Sequence, residues 1–248
     1  MSDRMTHRSQ LVRLAALSAV LLCIVPVNLM AGQALAPELN TEPRTIEFTE
    51  MFTFLFLMLG PIKILGPFVK LTRGGDETFA RKLAVRGFIF SCVALVFAAI
   101  IGEKSMRKYH VSVPVLAIAA GIILFLVALQ TVMQQFDSDK PAHREFEPSL
   151  RLAVSPLAFP TIVTPYGVAA VIIFMTITPD FATRSEIFGV LLGLMVLNLI
   201  AMLFANPILK YAGMPLQLLG TVLGIIQVAL GLQIMVLGLR GLGILAKR

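Results

Sequence analysis

Charge is what this sequence has least of. Only 14% of its 248 residues are Asp, Glu, Lys or Arg, and 57% are hydrophobic, where soluble domains carry about 25% charged residues. A water-soluble fold of this length cannot hide so much apolar surface, and a disordered chain needs the opposite composition. Cysteine is scarce as well. Cys23 and Cys92 both lie in apolar runs, which excludes a secreted disulfide scaffold. Histidine is limited to His7, His110 and His143, none with a neighbouring ligand type, so no metal is expected. There is no H-E-x-x-H, G-x-S-x-G, P-loop or G-x-G-x-x-G pattern, so no enzyme and no cofactor is expected either. What is present is a mean hydropathy of +0.87, which points to a polytopic membrane protein with the lipid bilayer as its first partner. The net charge of +7 does not argue for nucleic acid. The basic residues fall in short loops between apolar spans, as the positive-inside bias requires.

A helix needs about 20 apolar residues to cross a bilayer core. Six runs qualify: 51–72, 83–101, 112–134, 151–178, 187–206 and 214–239. They are continuously apolar, without the period-two alternation of a β-barrel. The predicted fold is therefore an all-α polytopic membrane helix bundle. No acidic residue falls inside a span, and Lys63 is the only basic residue deep in one. Ahead of the spans, Arg4, Arg8 and Arg13 precede an apolar stretch at 14–27 and small residues at 31–36. Residues 1–36 thus read as a signal peptide or an uncleaved signal anchor. Either places 37–50 outside as a periplasmic linker. Twelve Lys and Arg then fall on the inner side against eight on the outer side, with Lys63 completing the 21.

The chain repeats itself. Lys108-Tyr109 and Pro114 match Lys210-Tyr211 and Pro215. Gly121-Ile122-Ile123 matches Gly224-Ile225-Ile226, and Gln130 matches Gln233. Pro61 and Pro67 match Pro160 and Pro165. All these offsets lie close to 100 residues. Residues 51–134 and 151–240 are the expected repeats, 135–150 a cytoplasmic linker and 241–248 a C-terminal tail. Three spans per repeat turn the second copy upside down, the inverted-topology plan of many secondary transporters. Ala117, Gly121 and Ala128, with Gly220, Gly224 and Gly231, form a small-residue stripe in each third span. Its expected role is close helix packing.

The first and fourth spans are interrupted. One reads Gly60-Pro61-Ile62-Lys63-Ile64-Leu65-Gly66-Pro67. The other reads Ser155-Pro156-Leu157-Ala158-Phe159-Pro160, then Thr164-Pro165-Tyr166-Gly167. Proline removes a backbone donor and clashes with the preceding turn, so both spans should unwind there. Matching interruptions in two halves point to a transport site. The candidate substrate-binding residues are Lys63, Gly66, Pro67, Thr164, Pro165, Gly167 and Asn198. Lys63 is included because a lysine at the bilayer centre costs about 2.5–3.5 kcal/mol on insertion scales and marks function by default. Its expected partners are freed carbonyls, water or an anionic group on a ligand. Asn198 is included as a mid-span amide whose repeat position, 96–98, is apolar. Gln130, Gln217, Gln227 and Gln233 read as interhelical hydrogen bonds.

These residues carry a resemblance. The 155–160 and 164–172 segments are similar to the P-L-A-x-P…G-P-G-A-I signature of the MarC family of bacterial integral membrane proteins. Gly60-Pro61 through Phe68-Val69-Lys70-Leu71-Thr72 resembles that family's first signature, N/D-P-x-G-x-x-P-x-F-x-x-L-T. Gly60 stands where the family often has Asn or Asp, and Lys63 where it often has Gly. Thr164 and Tyr166 replace glycines of the second signature. The resemblance implies a six-span inner-membrane protein grouped with amino-acid exporters of the lysine-exporter type, and no established substrate. The reading is a solute exporter or carrier for an unidentified small molecule. The alternative is a membrane scaffold or accessory subunit without transport of its own. A carrier should hold a polar cavity at the breaks, whereas a scaffold packs them dry. Whether the chain works alone or as a homo-oligomer is left open.

Overall fold

A computed structural model describes residues 48–134, 149–178 and 180–245. The expected signal segment, most of both linkers and the end of the tail lie outside these residues. The described residues form seven α-helices and no strand. In chain order they are α1 (Phe48–Leu59), α2 (Ile62–Thr72), α3 (Glu77–Lys108), α4 (Val113–Gln134), α5 (Pro165–Ile177), α6 (Phe181–Leu203) and α7 (Ala205–Gly241). A tight helical turn, Leu150–Ala153, and a loosely wound stretch, Val154–Ile162, precede α5. Five segments are long and apolar enough to cross a membrane, and the bent pair Leu150–Ile162 and Pro165–Ile177 makes a sixth. Five of the six apolar runs thus coincide with a helix of spanning length, and the run 151–178 coincides with the bent pair.

The surface has the character that lipid demands. Val93 and Phe97 on α3, Leu126 on α4, Leu192 on α6 and Ile225 on α7 are all exposed. Contiguous apolar faces of this size are not stable in water. The first span is the most enclosed, and α4 and the span in α7 are the least enclosed. The broken first span is thus central, and α4 and α7 form a flank.

Those two flanking helices pack against each other antiparallel. Gly121 lies against the Gly231 carbonyl and Met235, Gly231 against the backbone of Phe125, and Gly238 against the Pro114 carbonyl. An added Cβ would come within 2.7 Å of a backbone atom at each of these three glycines, so only glycine permits the approach. Ala128 is buried in the same seam. The small-residue stripe is therefore packing, as read from sequence. Gly220 is the exception, with open space beside it.

The helix ends have ordinary causes. Asp76 caps α3 by accepting from the Phe79 N–H at 2.9 Å, and Asp180 caps α6 by accepting from Thr183 N–H at 2.7 Å, satisfying donors that the first turn leaves free. Two boundaries differ from expectation. Pro67 does not unwind its span, because α2 runs through it to Thr72. The segment between the fifth and sixth spans is not a loop. α6 stops at Leu203 and α7 begins at Ala205, so its 37 residues include a stretch ahead of the membrane span Leu218–Gly241.

Candidate functional site

The first break is confined to Gly60 and Pro61. Pro61 has no N–H to give to the Leu57 carbonyl, and Gly60 cannot carry a side chain, because its Cβ would overlap the Phe56 carbonyl oxygen. Helix α1 therefore ends with bare carbonyls deep in the bundle. Bare backbone at membrane depth is tolerated only when other groups satisfy it. Three consecutive carbonyls are met by side chains from beyond residue 150. Gln227 Nε2 donates to Leu57 O at 2.7 Å, Thr164 Oγ1 to Met58 O at 3.4 Å, and Asn198 Nδ2 to Leu59 O at 2.8 Å. Asn198 is only 1% exposed, and its Oδ1 has no hydrogen-bond partner among the described residues.

The second break is longer. Ser155 and Phe159 adopt extended backbone angles inside the Val154–Ile162 stretch. The chain turns by 62° before α5. The Ser155–Pro156 and Phe159–Pro160 peptide bonds are cis. Helix α5 then starts on a well-formed cap. Thr164 Oγ1 accepts from Gly167 N–H at 3.2 Å, and Pro165 occupies the first helical position, where its missing donor does no harm. Gly167 lets this end of α5 meet α1, since a Cβ there would stand 2.6 Å from Leu59 Cδ2.

The two breaks meet through one charged contact. Lys63 Nζ donates to the Tyr166 hydroxyl at 3.0 Å and lies 4.9 Å from the centre of the same ring. These two distances put the amine at the hydroxyl end of the ring, so the phenol acts on it through its oxygen. This is not among the partners expected for Lys63. The clue was there in the two signatures, because Lys63 and Tyr166 each replace a glycine and the two replacements touch.

Of the seven candidate residues, Lys63, Thr164, Gly167 and Asn198 converge on the end of α1 or on Tyr166. Pro165 stands beside them at the head of α5. Gly66 and Pro67 do not join the cluster. Nothing lies within 4 Å of the Cβ position of Gly66, and Pro67 is exposed. Gln227 makes the interhelical bond expected of it, whereas Gln130 and Gln233 are exposed. The Gln217 side chain lies outside the description.

A cavity of about 200 Å³ adjoins the junction. Phe54 and Met58 of α1, Ala120 of α4, and Tyr166, Ala170 and Phe174 of α5 line it. Phe54 and Phe174 close one wall edge to face, with ring centres 5.8 Å apart. The lining is apolar, so the polar cavity expected of a carrier is not what these residues form.

A second polar cluster was missed in the sequence. Glu103, near the end of α3, is buried. Arg184 grips it with two hydrogen bonds, at 2.8 and 3.2 Å, and also donates to the Thr178 and Met175 carbonyls. Arg107 adds a third bond to Glu103 at 2.9 Å. Such a forked pair fixes orientation as well as distance. It ties the end of α3 to the joint between α5 and α6, a mechanical role. No group of three or more His, Cys, Asp or Glu suited to a metal occurs among the described residues.

Comparison with known proteins decides the family. The model of the MarC family integral membrane protein matches residues 45–243. The chain belongs to the MarC family. It is 25% identical over 198 residues to UPF0056 membrane protein MJ1677 of Methanocaldococcus jannaschii, covering 78% of this chain and 96% of that one. It is 22% identical over 204 residues to UPF0056 membrane protein YhcE of Escherichia coli, covering 79% and 93%. UPF0056 membrane protein PH0760 of Pyrococcus horikoshii is 23% identical over 203 residues, covering 78% and 94%. No solved structure matches. The matched region contains both breaks and all six apolar runs of this MarC protein.

Proposed function

We propose that this MarC protein is a secondary carrier for a small solute in a bacterial inner membrane, built from two inverted three-span repeats and working by rocking one repeat against the other. The observation that carries the reading is the junction of the breaks. Two interrupted spans, one from each half, meet at mid-bundle through Lys63 and Tyr166 and through Thr164 and Met58. Discontinuous spans meeting at the centre are where carriers hold their solutes. The packing supports the repeat. The third spans, α4 and α7, run antiparallel along matching glycines. The first span packs on α6 and α7, and the fourth span packs on α3 and α4, which is the same relation with the halves exchanged.

One observation favours the scaffold reading. The freed carbonyls of α1 are capped and the adjoining cavity is apolar, as in a break that is simply packed. The carrier reading takes this as a closed state. The two readings separate in cells. Intracellular and extracellular metabolites are compared with and without the protein, and with Gly167→Val, which wedges the two breaks apart. A carrier gives at least one metabolite whose distribution changes on deletion and is not restored by the variant at equal membrane abundance. No changed metabolite, or full restoration by Gly167→Val, refutes it.

A further inference from the structure

The chemistry at the junction specifies more than a solute of unknown kind. Lys63 is the only Lys or Arg deep within a span. An ammonium group has three N–H donors and no acceptor, and a phenol has one O–H donor. Only one of these donors is used between the two groups, in the bond from Nζ to the Tyr166 oxygen. The remaining donors belong to both halves of the molecule, Lys63 on α2 and Tyr166 on α5. No Asp or Glu occurs in 51–72 or 150–177 to receive them. The described ion pairs all lie elsewhere, between Glu77 and Arg81 and around Glu103. Lys63 is half-buried, and a cation held out of water without a counter-charge is costly unless an anion comes to it.

Tyr166 has a second face. Its ring forms part of the wall of the 200 Å³ cavity, among Phe54, Met58, Ala170 and Phe174. One side chain therefore joins a surplus of donors to an apolar pocket. The ligand complementary to this pair has one anionic end and an apolar body.

We propose that the Lys63–Tyr166 pair receives the carboxylate of an apolar monocarboxylate, whose hydrocarbon body lies in the cavity beside Tyr166. The proposal rests on the carrier reading and names its solute class. A single carboxylate matches the single cation. A phosphate monoester would bring a charge of about −1.5 to −2 to a site with one positive charge. The carboxylate takes N–H donors from α2 and an O–H donor from α5. It thereby bridges the two spans that a carrier must move relative to each other, so its arrival and departure are coupled to that motion.

The test uses the full-length protein in lipid nanodiscs and three probes of one shape: 4-methylpentanoate, 4-methylpentanamide and 4-methylpentylamine. Thermal unfolding is followed with each at up to about 10 mM, enough to load a millimolar site. The carboxylate should raise the melting temperature, and the amide and amine should not. Lys63→Met should weaken the half-saturating concentration by about 30-fold or more, the loss seen when one partner of a buried charge pair is removed. Lys63→Arg should keep most of the effect, and Tyr166→Phe should weaken it severalfold, which covers the case in which Lys63→Met does not fold. Equal shifts from carboxylate and amide, no shift from any probe, or an undiminished shift in both Lys63→Met and Tyr166→Phe overturns the proposal. The carrier reading fails separately. A metabolite whose export survives Lys63→Met leaves the carrier standing and removes this solute class.

Discussion

Asn198 offers the sharpest measure of how the first break is held. The perturbation is Asn198→Leu, which keeps the branched shape with somewhat more bulk and removes both polar atoms. In the native chain Nδ2 holds the Leu59 carbonyl at 2.8 Å in a place where the residue is 1% exposed. Without it a main-chain acceptor is left bare, and an unsatisfied buried group costs about 1–3 kcal/mol. The substitution also removes Oδ1, which has no partner among the described residues. Its removal offsets part of the loss, about 1 kcal/mol. The expected net destabilisation is about 1–2 kcal/mol. Thr164→Val should cost about 1 kcal/mol, mainly as a lost helix cap, because its bond to Met58 O is long at 3.4 Å. Leu192→Ala, on the exposed face of the same helix as Asn198, should fall within about 0.5 kcal/mol of wild type. Denaturant unfolding in mild detergent ranks the three. Wild-type stability in Asn198→Leu would mean that the Leu59 carbonyl needs no donor, and the account of the break would be wrong.

Two further predictions concern the loop side of the bundle. Glu103→Ala should destabilise by about 2 kcal/mol, below the ~3–5 kcal/mol of a fully enclosed pair, because the Arg184 side chain keeps a quarter of its surface exposed. Arg107→Ala should cost about 0–1 kcal/mol, since that side chain is 68% exposed, and a double-mutant cycle in the same unfolding assay checks that the coupling runs through Arg184. Hydrogen bonds from Thr183 hold the Asp180 carboxyl below its ordinary value of 3.8. A carboxyl lowered in the folded state adds stability above its unfolded value and loses it as pH falls through the folded value. Asp180→Ala should therefore separate from wild type near neutral pH and converge with it in acid, as followed by the melting temperature against pH.

The spans were legible because their cause is local. Twenty apolar residues in a row report a bilayer without knowledge of any neighbour, and each of the six runs coincides with a helix of spanning length or with the bent pair. Gly60-Pro61 and the prolines at 156, 160 and 165 marked the breaks for the same reason, since a missing N–H acts within one turn. Pro67 shows the limit. Six residues into α2, it is accommodated on an exposed surface where the helix continues. The α6–α7 joint falls between the runs 187–206 and 214–239 because Lys210 interrupts the apolar sequence, although nothing there prevents a helix from extending beyond the apolar core. Glu103 was hidden by the hydropathy edge at residue 101. Helix α3 runs to Lys108, so a residue that looked like loop charge stands on a helix facing Arg184. The caps on α1 were unreadable for a deeper reason. Gln227, Thr164 and Asn198 lie 170, 106 and 139 residues from the carbonyls they serve, and only the packed bundle brings them together.

That packing also explains how Lys63 and Tyr166 are accommodated together. A lysine alone at position 63 would be a cation in an apolar bundle without a counter-charge, at about 2.5–3.5 kcal/mol on insertion scales. A tyrosine alone at position 166, buried at 5% exposure, would carry a hydroxyl in need of a partner. Placed together, the amine gives the hydroxyl its hydrogen bond at 3.0 Å. The neighbouring position has no such freedom. Gly167 must stay small, because Leu59 stands 2.6 Å from where its Cβ would be. The glycine that brings the helices into contact is therefore fixed by geometry. The pair beside it is held by complementary chemistry, the amine donating to the phenol oxygen at 3.0 Å.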